Sequence, residues 1–336
     1  MREFLEALLT YRFLQNALLG GLLTGFVAPL IGTFVLVRRL PVIADALAHI
    51  ALPGVATGII LASTYPWFAH IDPVYFGMLF ALLAMLFIEK LRGAYRSYSE
   101  IAIPIALSTG VGFGVVLLSI VRGLNVDVFD LLFGNILSVT SADLYRMAFA
   151  SAAILFLVVL FYKELLFLSF DEDTARVSGV PAEFVNFLFA VLLALVIGVA
   201  LNVVGMLLVS ALITLPVATA VRLARSFKET ILLSVLFGEW AVLTGTVLSY
   251  TYNLATGGTI VLVAALTLLF VLTGEGLGKR LRRRTTGEAP RPLVRSANVP
   301  LSRDDEGVAS FEASRGLVRL SPLGPSNGEA ADGKGG

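Results

Sequence analysis

The stretch RRLPVIADALAHIALPGVATG, residues 38–58, decides the fold. Two arginines and a proline lead into a run that stays apolar to residue 65, broken by Asp45 and His49. A bilayer core needs roughly 20 apolar residues in a helix. The run therefore reads as a membrane span over 42–65, with Arg38 and Arg39 at one end. An acid and a histidine inside such a span are costly, about 2.5–3.5 kcal/mol for Asp at the bilayer centre, so they normally face a cavity or a partner.

Working outward, further runs of the same kind cover 14–37, 73–91, 101–121, 143–162, 184–203, 205–221, 230–250 and 258–277. The chain thus reads as an all-α polytopic membrane protein with about nine spans. Little polarity separates 184–203 from 205–221, so eight is the alternative count. Composition agrees: of 336 residues, 57% are hydrophobic and 15% charged. Soluble domains sit near 45–50% and 25%. The chain has no Cys, which removes disulfides, thiolate metal sites and Cys nucleophiles.

Lys and Arg accumulate in cytoplasmic connections. One alternating set of connections holds Arg38, Arg39, Lys90, Arg92, Arg96, Lys163, Arg176, Arg222, Arg225, Lys228 and the run Lys279–Arg284. The opposite set, with the N-terminal segment, holds only Arg2, Arg12 and Arg122. The first set is expected inside, the N-terminus outside, and the C-terminus cytoplasmic in the cell (inner) membrane. Residues 1–284 form the expected transmembrane domain. Residues 285–336, rich in Pro, Gly, Ser and acids, read as a disordered cytoplasmic tail.

Gly and Pro inside the spans suit a tightly packed bundle around a pathway. Within it, Asp45 and His49 are spaced i, i+4 and share a helix face. A carboxylate and a neutral imidazole together suit a divalent cation such as Zn²⁺ or Mn²⁺, and two ligands suit transit better than storage. The competing reading is an interfacial salt bridge from Asp45 to Arg38 or Arg39. Glu239, near the middle of its span, is a candidate third ligand, gate or structural hydrogen bonder, and an additional polar pathway residue. Asn202, Ser210 and Thr214 read as ordinary interhelical hydrogen bonders. Tyr65, Trp67 and Tyr75 suit an interfacial aromatic belt beside His70.

The connection KELLFLSFDEDTARVSGVPAE, 163–183, reads as holding a short helix capped by Asp171 or Ser169 and ended by Gly179. There is no HExxH, and the nearest approach to a Walker loop, Gly274–Lys279, is one residue short. The basic run at Lys279–Arg284 stops a membrane helix and gives no nucleic-acid patch.

Four ordered segments resemble permease subunits of metal-type ABC importers, the zinc/manganese/iron family. They are DALAHIALPG at 45–54, FGNIL at 133–137, FDEDTARVSGVP at 170–181 and GMLLVSALITLPVATA at 205–220. The resemblance covers roughly residues 10–280. It implies a type II ABC importer permease-like bundle working as a homodimer, with no cofactor of its own and no catalysis. A separate cytoplasmic ABC ATPase would bind the ATP, and an extracytoplasmic metal-binding solute-binding protein would deliver zinc, manganese or iron. It assigns the metal to Asp45 and His49 and ATPase coupling to the loop with Asp171, Asp173, Ala175 and Gly179. Family members often carry a Pro in the turn before the final span; here that turn is Asn253–Gly258. Other classes that fit the composition are an ion-coupled secondary transporter using Glu239 and Asp45, and a type II importer for a metal chelate.

Overall fold

The computed structural model describes residues 6, 8–121, 133–134 and 139–286, with side chains at 96, 97, 121, 202–204, 206–208 and 276–286 left out. Most of FGNIL, Asn135, and the connection holding Arg122 lie outside the described residues. So does the expected tail beyond residue 286. The chain divides into Met1–Gly278, which holds the bundle, and Lys279–Gly336.

Among the described residues the elements are helices. They run α1 Arg12–Val37, α2 Pro41–Thr64, α3 Pro73–Ala94, α4 Ala102–Val121, α5 Ser141–Leu160, α6 Tyr162–Phe170, α7 Glu172–Val177, α8 Ala182–Val204, α9 Met206–Leu223, α10 Phe227–Tyr252 and α11 Thr256–Thr286. Eight of these are long and apolar enough to cross a membrane. At 1.5 Å per residue, the 18 residues of α9 reach about 27 Å, just short of a bilayer core.

The ambiguous division at residue 204 is a true break. Gly205 has φ 75 and ψ 159, a conformation essentially confined to glycine. It ends α8 and starts α9 with no polar loop, which is why hydropathy alone barely separates them.

The α1–α2 turn is closed by backbone geometry. Arg39 N–H donates to the Leu36 carbonyl and Leu40 N–H to the Val35 carbonyl, with Arg39 left-handed at φ 57. This is a Schellman turn, with an arginine where glycine is usual. Pro41 opens α2, where a missing N–H costs nothing. The turn into α11 needs no proline. Asn253 takes the left-handed conformation at φ 52, and Ser249 Oγ donates to the Leu254 carbonyl at 2.7 Å.

The core runs through α1, α2, α8 and α9, where Phe34, Leu47, Phe189 and Ile213 are fully buried. α1 packs on α10 through glycines, with Gly25 against Gly238. Close approach lets Thr33 Oγ1 and Ser234 Oγ share a hydrogen bond of 3.1 Å within the bundle. Tyr65, Trp67 and Tyr75 are exposed around the 3₁₀ turn Pro66–His70, as an aromatic belt requires.

Candidate functional site

α2 is buried on nearly every side, packed on α3, α4 and α9. Its neighbours along the chain are Ile43, Ala44, Ala46, Leu47 and Ala48, all at most 1% exposed. Over residues 42–56 the accessible positions form one stripe, Val42, Asp45, His49 and Leu52. The Asp45 side chain is 43% exposed and that of His49 28%. The two ionisable residues of this helix therefore sit on the strip of its first half that water or a partner can reach.

His49 Nε2 lies 3.8 Å from Asp45 Oδ1. Ligands held about 2.0–2.2 Å from one ion stand ~3.0–3.5 Å apart at octahedral to tetrahedral angles. A small side-chain rotation brings the pair onto one cation. The donor set, one carboxylate oxygen and one imidazole nitrogen, fits a divalent transition metal. Pro53 has no N–H to give the His49 carbonyl, so that oxygen is released from its usual place in the helix.

Ser210 on α9 completes the arrangement. Its hydroxyl donates to Asp45 Oδ1 at 2.7 Å. Ser210 lies five residues past the Gly205 break, so the break sets the height at which it meets Asp45. The sequence placed Ser210 and Thr214 as ordinary interhelical bonders. Thr214 bonds within its own helix, to the Ser210 carbonyl at 2.9 Å, whereas Ser210 orients a candidate ligand. The Asn202 side chain lies outside the described residues.

The salt-bridge alternative for Asp45 is not what the structure holds. Arg38 turns the other way: its Nε donates to Ser169 Oγ at 3.1 Å and its Nη1 to Asn186 Oδ1 at 3.0 Å. Among the described residues, neither Arg38 nor Arg39 pairs with Asp45.

Glu239 is half-buried in α10, with no hydrogen bond or ion pair among the described residues. α10 packs on α1 and α9, and the structure does not bring Glu239 together with Asp45 or His49. His70 is exposed in its turn, away from both.

The connection 163–183 holds the expected short helix. Asp171, not Ser169, caps α7: its Oδ1 accepts from Thr174 N–H at 3.0 Å, and its Oδ2 from Thr174 Oγ1 at 2.5 Å. These bonds hold the Asp171 carboxyl below its ordinary pKa. Gly179 ends α7 at φ 86, with Val180 N–H on the Ala175 carbonyl. Ala175 is fully buried, so it seats α7 on the bundle. The positions α7 presents outward include Asp173, Val177 and Ser178, with Val177 91% exposed. Val177 is thus an apolar side chain displayed to solvent on a short helix between the long ones, a position that the composition of the loop did not single out.

Over residues 10–275 the sequence matches the ABC 3 transport family. It is 36% identical over 269 residues to the manganese import system permease protein ScaB of Streptococcus gordonii, covering 80% of this chain and 94% of that protein. It is 35% identical over 269 residues to the manganese transport system membrane protein MntC of Listeria monocytogenes, covering 80% and 92%. A solved structure, PsaBC from Streptococcus pneumoniae in complex with a Fab, matches with a TM-score of 0.72 at 37% identity, covering 80% of this chain and 94% of that one.

Proposed function

Because the chain belongs to the ABC-3 transport family, we propose that it is the membrane-spanning permease subunit of an ATP-driven importer of a divalent transition metal. The observation that carries the cargo assignment is the Asp45/His49 pair on the open stripe along the first half of α2, held by Ser210. Two protein ligands make a weak site, which suits an ion that must enter and leave. Manganese is the favoured cargo, since ScaB and MntC carry that metal in their names. Zinc and iron share the donor chemistry and are the competitors to test.

In this reading the chain pairs with a second copy, and the open stripe of α2 lines the pathway between them. The basic connections and the C-terminus lie in the cytoplasm. A solute-binding protein delivers the ion from outside. A cytoplasmic ABC ATPase docks on α7, through Val177 and its exposed neighbours. ATP binding there shifts the bundle so that the Asp45/His49 site opens to the inside. The chain itself performs no covalent chemistry.

Manganese uptake into cells expressing Asp45→Ala or His49→Ala at normal levels tests the site. Each substitution removes one of two ligands and should abolish most uptake; normal uptake by both would sink the assignment. Competition by Zn²⁺ and Fe²⁺ in the same assay ranks the cargo. Docking is tested separately by co-purification of the ATPase with Val177→Asp and Gly179→Ala chains. Loss of the ATPase is expected, and full retention by both would remove α7 from the coupling role.

A further inference from the structure

A cleft of about 540 Å³ opens beside the α1–α2 turn, lined by Arg38, Glu89, Arg92, Ser169, Glu172 and Asn186 among others. Arg38 is its centre. The guanidinium lies 4.2 Å from the Phe189 ring centroid and bonds Ser169 of α6 and Asn186 of α8. Asn186 Nδ2 donates in turn to Glu172 Oε1 at 3.4 Å, and that oxygen also accepts from Arg176 Nη2 at 2.8 Å. A polar path thus runs from the end of α1 to both ends of α7.

On its other side Arg38 is coupled to the metal ligands. It is the C-cap of α1, and Leu40, two residues on, is the N-cap of α2. The Schellman turn between them leaves little freedom, and Asp45 follows within the first turns of α2. α7 itself packs on α6 and α8. A displacement of α7 therefore reaches the α2 end of the bundle through the side chains that hold Arg38.

The guanidinium is also poised to change partners. Its Nη2 is buried with no hydrogen-bond partner among the described residues. Burial draws Arg38 down to about 10, which leaves it charged at neutral pH, and the charges of Glu172 and Glu89 pull the other way. An arginine fork with one arm unfilled, two carboxylates nearby and a cleft to move in can exchange one pairing for another. That is what a two-position element needs.

We propose that Arg38 is the positioning residue through which α7 sets the placement of α2, and with it the Asp45/His49 pair. The inference rests on the docking role given to α7 above. It adds a route: α7, Glu172, Asn186, Arg38, the α1–α2 turn, α2.

The test uses the full chain assembled with its ATPase in proteoliposomes, with Mn²⁺ as cargo. Arg38→Lys keeps the charge but cannot bridge Ser169 and Asn186 together. Asn186→Ala cuts the path while leaving Arg38 itself and its bond to Ser169 in place, and decides alone should Arg38→Lys fail to accumulate. Expected is ATP hydrolysis within about twofold of the unaltered complex, with metal moved per ATP down roughly tenfold, the scale of a typical coupling between sites. An unchanged ratio with the ATPase bound overturns the proposal. The chain has no cysteine, so Val42→Cys, at a position 61% exposed in the first turn of α2, gives a single reporter. Its labelling rate by a thiol reagent should change on adding ATP, and that change should vanish with Asn186→Ala. A response that survives Asn186→Ala, or none in the otherwise unaltered chain, overturns the route. Failure of the docking reading shows elsewhere, as an ATPase that stays bound to the Val177→Asp and Gly179→Ala chains.

Discussion

Replacing Ser210 by Ala isolates one contact of the site. The hydroxyl donates to Asp45 Oδ1 at 2.7 Å, across 165 residues of sequence. A carboxylate has about four lone-pair positions, so one hydroxyl fixes its orientation and leaves the rest for a cation. Losing that bond lets the carboxylate rotate away from His49, whose Nε2 is already 3.8 Å distant. A hydrogen bond to a charged group contributes about 1.5–3 kcal/mol. The Asp45 side chain is 43% exposed, so water replaces part of the bond. About 1 kcal/mol remains, which is roughly a fivefold rise in the KM for metal uptake. Ser210→Thr keeps the hydroxyl and should stay near the unaltered value. The assay is initial-rate Mn²⁺ uptake over a concentration series, with protein level held constant. A KM for Ser210→Ala that is unchanged or lower would refute the reasoning, since it would mean that the serine competes with the ion instead of aiming its ligand.

Two backbone substitutions should move stability in opposite directions. Gly205→Ala places a side chain at φ 75, ψ 159 and should cost about 1–3 kcal/mol, read as a lower melting temperature in detergent together with weaker metal uptake; an unaltered melt would show that the α8–α9 break does not need glycine. Arg39→Gly relieves a left-handed non-glycine residue at φ 57 in an exposed turn position and should stabilise by about 1 kcal/mol, read in the same melt; a lower melting temperature would show that the Arg39 side chain contributes more than its backbone costs.

What could be read from the sequence was what local spacing encodes. The span expected at 42–65 is α2, Pro41–Thr64, because a bilayer-length apolar run has few other solutions. The Asp45/His49 face followed from i, i+4 spacing alone. Gly179 and Asp171 bounded α7 because helix ends have their own chemistry. What escaped was long-range pairing. Ser210 looked like any serine in a span, since nothing near it points to Asp45. Arg38 looked like a topology signal; its partners are 131 and 148 residues away. Glu239 invited a role as third ligand because an acid in a span stands out. Only the packing shows that α10 lies on α1 and α9, and that α9 stands between it and α2 as the neighbour both share.

The bond between Thr33 and Ser234 has a consequence for how the protein is made. The two residues are 201 positions apart, so at about 5–20 residues per second α10 emerges some 10–40 s after α1. During that interval α1, buried from Val27 to Val35 in the finished bundle, lies in the membrane without its final neighbour. Thr33 and Thr24 each donate back to their own helix, to the Pro29 and Gly20 carbonyls at 3.0 and 2.9 Å. Asn16, near the start of α1, takes its partners from a later segment, the Val139 carbonyl and Ser141 Oγ, but over this stretch α1 carries its buried hydroxyls already satisfied. It can wait in lipid as a stable intermediate until the last third of the chain arrives to close over it.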